Sequence, residues 1–525
     1  MGADATILAI DLGTSGPKVA LVTVGGRVLT TAVRPTTLIL QPGGGAEQDP
    51  DQWWQAIAEA TAEVRAHPSF EASAVKAISV TAQWAGTVAV DANGSALGNA
   101  ILWMDTRGAQ DVRALCKGWV SVEGYSPRKV ASWVRKTGGA PSLNGKDPVG
   151  HILWMKRTDR ARYDAARWFL EPKDYLNLRL TGTAAASYDS IAMHWVTDNR
   201  DLDAVTYDDG LLALTGLPRE KLPPLRAATE ILDPLCGSAA EDLGLPQGTP
   251  VVCGTPDVQS AAVGSGAVGP ARAHLYLGTS SWISAHVPFK KTDLFRNIAS
   301  LPSALPGQYF VGNSQETAGG SLNWLRDGVL YGDDALGRDI PPADVFSRID
   351  ALARSAPPGS DNVLFTPWLV GERCPVADER VRGSFLNLSL ATTRAHLVRA
   401  VLEGVAYNSR WLLRAVERFV GNPLPSLRVV GGGGKSDLWC QIHADVLGRP
   451  IEQVRDPVSV NALGAAMIGA LALGALETDE IHDRIDVVRT FEPRPVYRDR
   501  YDALFGAFLD HYKSSKSFFR RLNHP

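Results

Sequence analysis

Apolar residues run almost unbroken through 5–12 and return at 19–24 as "VALVTV", with a glycine-flanked polar turn between them. Runs this short, bounded by glycine, predict buried strands. "GGRVL" at 25–29 predicts a hairpin turn into a third strand. The period then changes. In "DQWWQAIAEATAEV" (51–64) apolar positions recur at helical spacing, with Asp49 or Asp51 as the cap. "VKAISVTAQWAGTVAVD" (75–91) returns to strand character and breaks at Gln83–Gly86. That order predicts an α/β fold, a mixed sheet covered by helices.

A related order begins near the middle of the chain. "ARAHLYLGTSSWISAHV" (271–287) reads strand, glycine turn, strand, and its Leu277–Ser280 repeats the "LGTS" of Leu12–Ser15. Four letters prove little by themselves. The shared strand–turn–strand context predicts two related halves, residues 1–268 and 269–525, with a central cleft between them. The boundary falls in the small-residue stretch 255–272. Downstream, 392–420 predicts a long amphipathic helix broken at most once, and 425–434 a short strand entering a glycine turn. Residues 436–447 predict a helix capped by Ser436. "PVSVNALGAAMIGALALG" (457–474) is a small-residue helix suited to close helix packing. The basic tail 511–525 suggests no role.

A chain of 525 residues predicts two or more domains with large cores. Lys and Arg total 53 against 56 Asp and Glu, so the net charge is −3 and no overall basic field for nucleic acid is present. Cys116, Cys236, Cys253, Cys374 and Cys440 are far apart, with no CxxC, which predicts neither a zinc knuckle nor a disulfide framework. Asp4 and Asp11 break the first apolar run, and no run is long enough to span a bilayer; the expectation is a cytoplasmic protein without membrane partners.

"DLGTSGPK" (11–18) offers a carboxylate, two hydroxyls, accessible backbone N–H groups and a cation within one turn, an inventory for phosphate and a divalent metal. Asp11 suits the metal or polyphosphate geometry; Gly13, Thr14 and Ser15 suit phosphate oxygens; Lys18 suits their charge. The alternative is a hairpin that caps its own turn. The spacing is not that of a Walker A loop. The second copy keeps Gly278, Thr279 and Ser280 but has Tyr276 where Asp11 stood, which suits phosphate without metal. Asp257, in "GTPDVQSAAVGSG" (254–266), follows a strand-like run and opens a helix-like one. It is either a helix cap or a base for a substrate hydroxyl that attacks a phosphate. "GGGG" (431–434) suits close backbone approach to a ligand or a flexible joint, and Asn461 suits a helix cap or the adenine end of a nucleotide. Trp84, beside Gln83 in the strand break, suits stacking on a sugar, and "WMDTR" (103–107) suits polyol hydroxyls or a structural ion pair. Trp53, Trp54, Trp103, Trp154, Trp195 and Trp324 are assigned mostly to cores. No HExxH or other ligand spacing appears among the ten histidines, so any metal is expected to arrive with the nucleotide.

Together these motifs resemble the FGGY family of carbohydrate kinases, most closely its xylulokinase branch, from about residue 6 to about 510. "DLGTSGPK", "ILWMDTR", "GTPDVQSAAVGSGAV", "YLGTSSW", "FTPWLVGERCPVADERVRGSFLNLSL" and "VVGGGGKSDLWCQIHADVLGRPI" occur in family order. The resemblance implies duplicated actin-like ATPase (ribonuclease H-like) domains that close over ATP and sugar. It implies Asp257 as base, Asp11 near Mg²⁺, Thr14 and Lys18 near phosphate, and Gly278 and Thr279 on the transferring phosphate. Gly319 and Gly320 in "ETAGGSLNW", with Gly432, Gly433 and Asn461, would line the nucleotide. One departure bears on substrate: where xylulokinases carry Gln-Met-His-Gly, this chain has Gln83-Trp84-Ala85-Gly86. Asp105 and Asp189 remain as readers of sugar hydroxyls. A second departure is Cys374, where threonine is common.

The expected activity is ATP-dependent phosphorylation of a ketopentose such as D-xylulose, by a monomer or homodimer. Another pentulose, a polyol or a deoxysugar are alternatives within the class. A non-kinase ATP-binding protein of the actin-like fold is the alternative outside it. An NAD enzyme is excluded, because no GxGxxG follows a strand.

Overall fold

The computed structural model describes residues 5–335, 337–338 and 340–523; Asp4 and the last two residues of the basic tail lie outside the described residues. The early apolar runs form β1 (Thr6–Gly13), β2 (Gly16–Thr23) and β3 (Val28–Val33), and the next forms β4 (Val75–Ala82). With β5 (Ile231–Pro234) and β6 (Pro250–Pro256) they make a six-stranded sheet in the order β5-β6-β4-β1-β2-β3. The second half builds β7 (Ala273–Leu277), β8 (Ser281–Val287), β9 (Thr292–Asp293), β10 (Ile298–Pro302), β11 (Tyr309–Gly312), β12 (Leu427–Val430), β13 (Ile451–Val454) and β14 (Val487–Phe491). These form an eight-stranded sheet, β9-β10-β11-β8-β7-β12-β13-β14.

The two sheets repeat one pattern. In the first, β3, β2 and β1 are antiparallel neighbours, β1, β4 and β6 run parallel, and β5 closes the edge antiparallel. In the second, β11, β8 and β7 are antiparallel, β7, β12 and β13 run parallel, and β14 closes the edge antiparallel. Six successive positions agree in order and sense. The duplication suggested by four letters is therefore carried by the whole topology.

Strand alternation aims the polar residues. Leu8, Ile10 and Leu12 of β1 share a core with Trp53 and Ile57 of α1 (Pro50–Arg65) and with Tyr175 and Leu176 of α2 (Pro172–Thr181). Ile7 and Ala9 face the other way, into a core with Val263 of α3 (Asp257–Gly264) and Ala462, Ala465 and Ala466 of α7 (Val460–Ala472). Asp11 continues the Ile7–Ala9 face, so the period of two turns it toward α3 and α7. Tyr276 of β7 packs on that same core, while Leu275 and Leu277 face the outer core of the second half. The small residues of α7 serve the crossing with α3. A Cβ on Gly264 would stand 2.0 Å from the Val460 carbonyl oxygen, and one on Gly464 1.9 Å from that of Ser260.

The remaining helices follow their signals. The α1 cap is Asp49, whose side chain accepts the Asp51 N–H. α4 (Gly319–Leu325) follows β11, and α5 (Arg394–Val420) runs unbroken for 27 residues. α6 (Asp437–Leu447) is capped by Ser436, which accepts the Trp439 N–H at 3.0 Å. The basic tail is docked: it belongs to α8 (Arg498–Leu522), which buries Tyr512 and Phe519. Among the described residues no helix is long and apolar enough to cross a membrane.

Candidate active site

Asp11 sits at the end of β1, opposite Lys18 in the β1–β2 register, and is 7% exposed. Its Oδ1 has no hydrogen-bond partner. Burial pushes its carboxyl up to about 6, against the pull of Lys18 and a contact from the Asn461 side chain. Asp257 is the first residue of α3, half-buried, with Oδ1 accepting the Val258 N–H at 2.8 Å. Burial first, and then the charge of Asp11, push Asp257 up to about 7. The backbone N–H groups of Val258, Trp84 and Asp257 itself oppose that rise. The two carboxylates are therefore electrostatic neighbours, one on each side of the gap between β1 and α3.

Side chains brace the first turn. Thr14 Oγ1 donates to Gln83 Oε1 at 3.0 Å and accepts the Trp103 Nε1–H at 3.1 Å. Gln83 Nε2 donates to Gln48 Oε1 at 3.0 Å, and Gln48 Nε2 donates to the Thr14 carbonyl at 2.7 Å. Trp53 Nε1 also donates to Gln48 Oε1 at 3.0 Å. This closed ring ties the first turn to the strand break. Lys18 reaches into the other half and donates to the Val458 carbonyl. Ser15 is exposed, and its carbonyl accepts the Thr36 N–H at 3.1 Å.

Backbone braces the second turn. The N–H groups of Ala318 and Gly320 donate to the Thr279 carbonyl at 2.8 and 3.0 Å, and that of Gly319 to the Gly278 carbonyl at 2.8 Å. A Cβ on Gly319 would lie 2.6 Å from the Gly278 oxygen, and one on Gly431 2.7 Å from the Leu277 oxygen. Gly433 is crowded too, with a Cβ position 2.8 Å from that of Leu277, whereas Gly432 is exposed with nothing within 4 Å. The three glycine segments, distant in sequence, thus converge on one turn. Tyr276, stacked on Trp282 at 3.8 Å between ring centroids, fills the place of Asp11. Burial, with Asp257 and Asp11 nearby, pushes its hydroxyl up to about 12.

The fold places the remaining candidates. Asp105 is 1% exposed; its Oδ2 accepts the Ala46 N–H and Arg107 Nε–H at 2.9 Å, and its Oδ1 the Arg107 N–H at 2.9 Å. It is a structural ion-pair residue, not presented to a sugar. Asp189 is 0% exposed and takes the Thr255 hydroxyl, so it too is enclosed. Asn461 lies on Asp11 rather than at an adenine end. Trp103 and Trp324 are not core residues; they are 41% and 39% exposed. Sequence reasoning also missed Gln48, which no motif marks, and the role of Trp103, which its "WMDTR" setting could have signalled. Trp84 is half-buried, with Nε1 donating to the Ser190 carbonyl at 3.0 Å. Cys374 is buried, donating to the Arg296 carbonyl.

The orphaned Oδ1 of Asp11 and the glycine-lined surface around Gly278 and Gly432 fit a metal-bound polyphosphate. Among the described residues no cluster of three or more His, Cys, Asp or Glu is placed to hold a metal by itself.

Residues 6–264 match the N-terminal domain, and residues 273–473 the C-terminal domain, of the FGGY family of carbohydrate kinases. A xylulose kinase of Staphylococcus epidermidis is 30% identical over 513 residues, covering 97% of each chain. A gluconokinase of Bacillus subtilis is 27% identical over 514 residues, covering 96% of this chain and 95% of its own. The solved xylulose kinase from Rhodospirillum rubrum superposes with a TM-score of 0.82 at 28% identity, covering 98% of this chain and 99% of its own.

Proposed function

The chain belongs to the FGGY family of carbohydrate kinases, and from that premise we propose that it transfers the γ-phosphate of ATP to a hydroxyl of a ketopentose such as D-xylulose. The observation that carries the reading is the pair of neighbouring carboxylates, with Asp257 held up to about 7, beside a turn on which three glycine segments converge. A base of that strength matches a proton acceptor working near neutral pH.

Asp257 takes the proton of the substrate hydroxyl as that oxygen attacks. Asp11, through its free Oδ1, would hold a Mg²⁺ arriving with the nucleotide, and that ion would neutralise charge on the phosphate oxygens. Thr14 and Lys18 would set the first turn against phosphate charge, and Asn461 steadies Asp11. Thr279 presents its hydroxyl to the transferring group, and Gly278, whose N–H is donated to the Ser280 carbonyl at 3.1 Å, closes the turn beneath it. Gly319 and Gly320 hold that turn, Gly433 lets the chain pack on Leu277 and Trp439, and the open Gly432 leaves room for the nucleoside. Gln83 and Trp84 border the sugar. Closure of the two halves over both substrates excludes water and favours sugar over hydrolysis. We place the reaction in the cytoplasm, in a monomer or homodimer.

One observation favours a second substrate reading. Trp84-Ala85 offers an indole already committed to Ser190 and no imidazole, and a gluconokinase is among the relatives. A site that has lost a hydrogen-bonding group discriminates against the substrate that used it. The deciding experiment measures ADP release with Mg-ATP across ketoses, aldoses and polyols, alongside Asp257→Ala. One compound should raise turnover far above the sugar-free rate, and the variant should lose that rise. If none does while ATP binds, the protein is an actin-like ATP-binding protein and not a working kinase.

A further inference from the structure

The strand break at Gln83–Gly86 is a strained reversal. Ala85 has φ +63°, the left-handed region that non-glycine residues avoid, and a Cβ on Gly86 would meet Pro172 Cγ at 2.6 Å. Such a conformation persists only where its surroundings over-determine it. Three successive N–H groups of this reversal are divided between two carboxylates. That of Trp84 points to Asp257. Those of Ala85 and Gly86 point to Glu171, the Gly86 bond being 3.0 Å. Successive N–H groups around a left-handed residue form a concavity that binds anions, and here the chain itself fills it.

Glu171 is placed for this and for nothing local. It precedes α2, yet its side chain makes no cap bond to that helix. It is 2% exposed, Oε1 has no hydrogen-bond partner, and His194 Nδ1 lies 3.9 Å from that oxygen. Lys173 and Asp174, also facing it, pair with each other, and Lys173 donates to the Cys253 carbonyl at 2.8 Å. Among the described residues no lysine or arginine pairs with the Glu171 carboxylate.

We propose that Glu171 is a positioning residue for phosphoryl transfer: by accepting the Gly86 N–H, next to that of Ala85, it fixes the reversal that turns Trp84 toward Asp257 and sets the Trp84 ring beside the sugar. The inference rests on Asp257 acting as the base. What matters is reach and acceptor capacity, not charge. Burial and the charge of Asp174 push Glu171 well above the usual carboxylate range, and a glutamine oxygen at the place of Oε2 can accept the same Gly86 N–H.

The test is the series Glu171→Gln, Glu171→Asp and Glu171→Met, with kcat, KM for the best sugar, KM for Mg-ATP and Tm measured on each. Glu171→Gln keeps the acceptor at full reach and should hold sugar kcat/KM within about threefold of the parent. Glu171→Asp keeps the charge but falls a methylene short, and should lose about tenfold in sugar kcat/KM. Glu171→Met should lose about a hundredfold, with KM for Mg-ATP nearly unmoved in all three. The opposite order, aspartate retained and glutamine lost, would show that charge balance with Lys173 is the role and overturn the proposal. Losses shared equally between sugar and ATP parameters, in step with Tm, would overturn it as well. Should Glu171→Met fail to fold, the Gln–Asp order alone decides. A parent protein that no sugar stimulates would fail at an earlier step, removing the kinase reading and this inference with it.

Discussion

The β1–β2 and β7–β8 turns occupy the same place in two copies of one sheet and are built by opposite means. The first carries Asp11 and Lys18 across from each other and is held by side chains: Thr14, Gln83, Gln48, Trp53 and Trp103. The second has Tyr276 in the acidic position and is held by backbone, through the N–H groups of Ala318, Gly319 and Gly320 and the close approach of Gly431 and Gly433. Side-chain chemistry needs side-chain scaffolding to fix a carboxylate in a defined pose. A surface that offers N–H groups to a ligand needs the opposite, an absence of Cβ atoms. Duplication supplied the backbone twice, and the residues then divided the work.

If that division holds, the largest loss belongs to the carboxylate side. Asp257→Asn should cut kcat about a thousandfold while ATP still binds, read by steady-state kinetics and nucleotide titration. Retention of kcat would remove the base from α3. Asp11→Asn should cost about a hundredfold in turnover and weaken the response to Mg²⁺. It also has a signature in pH. A base with a pKa of about 7 is mostly protonated in more acidic solution, so sugar kcat/KM should decline below about pH 7 in the parent. Asp11 is a like charge that raises this pKa, so removing its charge should move the acid limb to lower pH. A limb that stays in place would separate the two carboxylates.

These residues also mark how far sequence carried. The strands, the two turns and the small-residue helix were legible because glycine, alternation and helical spacing are local signals. The places of Asp11 on a strand and of Asp257 at a helix start were legible for the same reason. Asn461 was not, because its partner is Asp11 and only the packing of α7 against β1 brings them together. For Asp105 the sequence left a polyol contact and a structural ion pair open, and the fold shows the ion pair with Arg107; for Asp189 the Thr255 hydroxyl arrives only on folding. Glu171 carries no motif at all; its meaning lies in two N–H groups eighty-odd positions earlier.

On the backbone-held side, Gly319→Ala places a Cβ against the Gly278 oxygen. Such overpacking typically costs about 1–3 kcal/mol, and the displaced turn should raise KM for Mg-ATP about tenfold with a much smaller change in KM for sugar. An equal effect on both would mean that the second turn serves the sugar too, and the division between the copies would fall.

The finest test compares the two threonines at equivalent places, Thr14 and Thr279. Thr14→Val keeps the shape but leaves the Gln83 acceptor and the Trp103 N–H without their partner. Unpaired groups of this kind cost about 1–3 kcal/mol, so Tm should fall and KM for sugar should rise about fivefold, while Thr14→Ser should restore both. Thr279 is exposed, and its hydroxyl braces no such ring. Thr279→Val should therefore leave Tm in place and lower kcat about fivefold by the loss of one hydroxyl contact to the transferring phosphate. A Tm that falls for Thr279→Val and holds for Thr14→Val would reverse the assignment of scaffolding to the first turn and open backbone to the second.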